Sequence, residues 1–150
     1  LMKKTTCEIV IKKKDLEISK LSSEKLELER RAAALTSKIQ SLNNYINEYS
    51  TELNSPDQAN IDLHKHSATC EFLGQLSSAK AKLTQALNDC NYKCDRIRKQ
   101  IRSIYTEQTK YQKMADNREK ETLIEDDKLD RKYNEELFLA NYVRAHLGAK

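Results

Sequence analysis

A seven-residue repeat runs almost unbroken through the first third of the chain, and it leaves little freedom about what the chain becomes. Cys7, Lys14, Leu21, Leu28, Leu35, Leu42 and Tyr49 occupy one register. Ile11, Ile18, Lys25, Ala32, Ile39, Ile46 and Leu53 occupy the other. The two alternate by three and four, so they are the d and a positions of a left-handed coiled coil sustained over about six heptads. Composition excludes the alternatives. In 150 residues there are two glycines and one proline, too few for the tight turns of a sandwich, a barrel or a doubly wound sheet. With charged residues at 33% and hydrophobic ones at 38%, the chain suits a narrow apolar seam, not a thick core.

The single break is Asn54-Ser55-Pro56-Asp57-Gln58. Ser55 as N-cap, Pro56 at the first helical position and Asp57 facing the positive end of the dipole mark the start of a second helix. The period then resumes, with Leu73, Lys80, Leu87, Cys94 and Ile101 as a and Leu76, Leu83, Cys90, Ile97 and Ile104 as d. The expected fold is all-α: one domain over 1–150, an antiparallel coiled-coil hairpin with helix one over about 5–53, a turn at about 54–57 and helix two over about 56–147. Pairing a with d across the turn puts Leu42 near Leu73, Ile39 near Leu76, Ala32 near Leu83, Leu28 near Leu87, Ile18 near Ile97 and Ile11 near Ile104. Lys14, Lys25 and Lys80 interrupt the seam; their stems lie along it and their ammonium groups reach water.

At about 1.5 Å per residue helix one spans about 70 Å and helix two about 135 Å, so roughly the last 35 to 40 residues overhang. That segment keeps Leu123, Ile124, Leu129, Tyr133, Leu137, Phe138, Leu139, Tyr142, Val143 and Leu147. An isolated helix is marginal in water, so the overhang reads as a docking element. Tyr45 and Phe72 fall at g positions beside the seam, where large aromatics form a small binding patch or thicken the seam near the turn.

Other patterns carry less chemistry. Cys90 and Cys94 lie in the seam as small buried thiols, without the two further ligands a metal needs. His64 and His66 point to different sides of a helix and with Cys70 make a poor cluster for a metal. Glu125, Asp126, Asp127, Asp130, Glu135 and Glu136 make a solvated face on a helix that offers no enclosed site for acid–base catalysis. Arg96, Arg98, Lys99 and Arg102 spread around the helix instead of forming a stripe, which argues against nucleic acid. A net charge of +4 decides nothing by itself. The expectation is a non-enzymatic protein without cofactor or metal, cytosolic and with reduced thiols.

The run from Leu42 to Asn54, with its Leu-x-x-Tyr-x-x-Glu-Tyr pattern, resembles the end of the first helix in the FliJ family of the bacterial flagellar type III export apparatus. Phe72, Leu76 and Ala79 sit at the spacing of that family's second-helix aromatic, leucine and alanine. The segment from Lys128 to Phe138 is similar to its charged C-terminal stretch. The resemblance covers about Lys38 to Arg144, and Lys38 and Leu83 depart from the family's pattern at the edges of the patch. It implies a two-helix stalk akin to that of rotary ATP synthases, standing in the centre of the export ATPase hexamer, FliI, and touching the cytoplasmic domain of the export gate, FlhA. It also implies chaperone escort, at the cytoplasmic face of the inner membrane. Carried over by position, the gate-binding surface is Leu42, Tyr45, Tyr49, Phe72, Leu76 and Ala79, and the ATPase-ring contact is Ile11, Arg118, Leu129 and Tyr133. Related stalks of the YscO type serve injectisomes. Outside the family, a scaffold or tether that dimerises through its C-terminal helix is the alternative. Nucleic-acid binding through Lys3, Lys4, Lys12, Lys13 and Lys14 is a third, marked by steep salt dependence.

Overall fold

Long uninterrupted runs without glycine or proline let the backbone stay in one helical well, and in the computed structural model they do so. The structure describes residues 3–54 and 63–147. Helix α1 is Lys4–Leu53, 50 residues, and helix α2 is Leu63–Leu147, 85 residues. Gly74, the one glycine among the described residues, has no positive φ and open space around it, so it serves as an ordinary helical residue. The expected cap at Ser55-Pro56-Asp57, and with it a start of the second helix near Pro56, lies outside the described residues.

The helices pack against each other as a hairpin whose second helix is the longer. Two compact units are distinguishable, one formed by the chain up to Glu17 with the part from Ser103 onward, the other by Ile18–Arg102. In the first, Lys4 reaches Glu119 at 3.4 Å and Lys14 reaches Glu107, so the two segments run antiparallel. In the second, Arg98 reaches Glu29 at 3.7 Å and Tyr49 meets Phe72, again antiparallel.

These pairs fix the register, and it differs from the expected one. Leu73 was expected opposite Leu42, but its neighbour Phe72 meets Tyr49, one heptad later than Leu42. Ile11 was expected near Ile104, but its carbonyl accepts a hydrogen bond from Gln108 Nε2 at 3.2 Å. The physical reason is that a heptad pattern is unchanged by a slide of about seven residues, so apolar still meets apolar in either register. Polar groups break the tie. In the expected register Lys14 faces Ile101 with no partner for its ammonium, a costly arrangement in a seam. In the actual one, its side chain, 16% exposed, has a carboxylate partner, pairing with Glu107 across the helices.

The core is correspondingly thin. Cys7, Ile18, Leu35, Cys90, Cys94, Ile97 and Ala115 are buried, and among the described residues no polar side chain is. A two-stranded seam covers each a and d residue from one side only, which leaves most of them half-buried. Hydroxyls inside the helices are satisfied locally, as when Thr36 and Thr109 donate to the carbonyls of Ala32 and Tyr105 at 2.9 Å. From Glu119 to Leu147 every residue of α2 is exposed. The overhang is therefore real but about one heptad shorter than expected, a direct consequence of the shifted register.

Candidate functional site

The flank near the hairpin end combines the seam residues Leu42, Tyr49 and Leu76 with Tyr45, Phe72 and Ala79 beside the seam. Leu42, Tyr49, Leu76 and Ala79 are half-buried, while Tyr45 is 53% and Phe72 41% exposed. The ring of Phe72 meets Tyr49 edge-on, with centroids 5.2 Å apart and planes at 80°. That geometry places the positive ring edge of one on the negative face of the other, which fixes both side chains. Tyr45, expected beside Phe72, stands free of that ring pair with its phenol in solvent. The patch thus combines a rigid aromatic pair with one exposed tyrosine, an arrangement that loses little rotamer freedom on contact with a partner.

An open groove that sequence reasoning missed is lined by Ile46 of α1 and by Ser77, Lys80, Ala81, Thr84, Gln85 and Asn88 of α2. Ser77, Ala81, Thr84 and Asn88 recur at helical spacing as small or short polar side chains, and that recurrence was the available signal. Thr84 spends its hydroxyl on the carbonyl of Lys80 at 2.8 Å.

The four residues expected at the ATPase ring are not brought together. Ile11 is half-buried in the seam. Arg118 is half-buried and pairs with Glu121 at 3.0 Å. Leu129 and Tyr133 alone share the overhang and are exposed.

Charge is locally balanced. Lys14 has its pKa raised, chiefly by the hydrogen bond to Glu107 and further by the nearby Glu107, Glu17 and Tyr111, against the opposing effect of burial. The same bond holds Glu107 below its ordinary value. Gln108 Nε2 also donates to Asp15 Oδ1, at 2.5 Å, so one polar station ties the helices together here. Cys7, Cys90 and Cys94 are buried free thiols and Cys70 is an exposed one, as the seam positions of Cys90 and Cys94 require. Among the described residues no three histidine, cysteine or acidic side chains gather as metal ligands. No helix among them is long and apolar enough to cross a membrane.

A family model described as the flagellar FliJ protein matches residues 9–146, nearly the whole chain. No curated protein and no solved structure matches it.

Proposed function

The chain belongs to the FliJ family, a component of flagellar protein export, and from that membership we propose that it is a non-enzymatic stalk that links the export ATPase hexamer to the export gate. In this reading ATP hydrolysis is the work of the ring, and the hairpin carries its consequence to the gate while also escorting export chaperones. It acts in the cytoplasm, held at the inner face of the membrane by its partners. The exposed overhang supports a seat in the ring, through Leu129 and Tyr133 with Arg118 and Ile11 nearer the hairpin.

The observation that carries the reading is the aromatic flank. Tyr45 and Phe72 are exposed at positions that the heptad does not require to be aromatic, and interface energy concentrates in such residues. The gate-binding surface is then Leu42, Tyr45, Tyr49, Phe72, Leu76 and Ala79. Calorimetric titration of the cytoplasmic domain of the gate tests it, with wild type beside the double variant Tyr45→Ala, Phe72→Ala. Saturable binding by wild type and its loss in the variant, at unchanged helicity, is the expected outcome. Equal binding by both proteins overturns the assignment of the site.

A further inference from the structure

The overhang carries one largely apolar stripe with a charged residue at each end. Asp126, Leu129, Tyr133, Leu137, Ala140 and Arg144 follow at spacings of three and four, and at about 100° per residue they lie on a single face of α2. All six are exposed. Tyr142, on the opposite face, is engaged by His146, whose ring stacks on it at 4.0 Å. At the two ends of the stripe stand opposite charges. Asp127 next to one end pairs with Arg131 at 3.6 Å, but neither Asp126 nor Arg144 has an ion partner among the described residues.

We infer that this stripe pairs antiparallel with the same stripe of a second copy of the chain. Reversal of the partner sets Asp126 against the partner's Arg144 and Arg144 against the partner's Asp126. Between these two ion pairs, Leu129 meets the partner's Ala140 and Tyr133 the partner's Leu137, each twice by the two-fold symmetry. On the rim, Glu136 comes level with the partner's Lys132. A parallel arrangement instead opposes Asp126 to Asp126 and Arg144 to Arg144, so charge selects the direction. The contact covers roughly 1,000 Å2 in total, near the lower limit of a specific interface, which makes the dimer a weak one with a dissociation constant on the order of micromolar. It uses Leu129 and Tyr133, so a copy paired in this way cannot offer them to another protein at the same time. The inference stands on the chain alone and does not depend on the export reading.

Sedimentation equilibrium of the full chain, from about one to some hundreds of micromolar, tests it. Wild type is expected to pass from monomer to dimer. Asp126→Arg and Arg144→Asp each place like charges at both ends, and each is expected to raise the dissociation constant at least about tenfold. An equimolar mixture of these two variants restores opposite charges at both ends and is expected to recover wild-type affinity as a heterodimer, while the direction is read from the single substitutions, which weaken only an antiparallel homodimer. Both substitutions are on an exposed helical face, so circular dichroism is expected to show unchanged helicity. A monomer at every concentration overturns the inference and leaves the stripe to a different protein. So does a dimer indifferent to the single substitutions, or one that the mixture fails to restore.

Discussion

Lys14 shows how much a single residue decides in a repetitive chain. Its heptad position made it a flaw in the seam; the structure makes it one half of a tie, since it meets Glu107 while Gln108 holds Asp15 and the carbonyl of Ile11. The sign of its pH dependence follows from the two shifts. Glu107 lies below its ordinary 4.5, so its contribution is present above that value and is lost as pH falls through the depressed one. Lys14 lies above its ordinary 10.5, so its contribution is complete below that value and is lost as pH rises through the raised one. The pair therefore stabilises the fold throughout the neutral range. Glu107→Gln is expected to lower Tm near pH 7, and the gap to wild type is expected to shrink as pH falls from the ordinary 4.5 through the depressed value of Glu107, below which both proteins carry an uncharged group. Thermal melts over that range check it; a gap independent of pH removes the ion pair from the account. The presence of Lys14 in the seam was legible in the sequence. Its partner was not, because Glu107 is outside the a and d positions.

At the scale of the helix, the heptad predicts which side chains matter and the structure grades them. Leu35 at d is 9% exposed, whereas Leu16 points outward and is 71% exposed. Leu35→Ala removes packing that the thin seam cannot recover by collapse, and is expected to cost about 2 to 3 kcal/mol. Leu16→Ala changes an already solvated surface, with an expected effect within about 0.5 kcal/mol. Urea unfolding followed by circular dichroism separates the two, and equal losses would mean that the a/d assignment does not govern stability. The elements themselves were readable because the absence of glycine and proline and the repeat both point to helix. The exposure of Tyr45 and Phe72 was also readable, from their place beside the seam. The clustering of Tyr45, Tyr49 and Phe72 near the turn was readable too, but which tyrosine's ring meets Phe72 was not, since it depends on the register.

For the molecule as a whole, register is the quantity that separates the two levels of description. The actual pairing brings Leu28 level with Cys94 instead of Leu87. The variant Leu28→Cys is therefore expected to form a disulfide with native Cys94 under mild oxidation, since seam positions on facing helices approach within reach of a disulfide. Mass spectrometry of the digested protein identifies the linked peptides. A Leu28→Cys chain that stays reduced, while Leu28→Cys with Leu87→Cys joins those two positions, would restore the expected register.

The sequence by itself determined the helices, their antiparallel pairing, the greater length of the second and the family to which the chain belongs. All of these follow from local propensity, from a period that only a coiled coil uses, and from a few aromatics that the period does not explain. Which heptad faces which was decided by tertiary structure alone. A repeat carries no information about translation by its own length, and the choice falls to the rare residues that break it: a seam lysine that needs a carboxylate, a glutamine that needs two acceptors, and a tyrosine whose ring finds a phenylalanine.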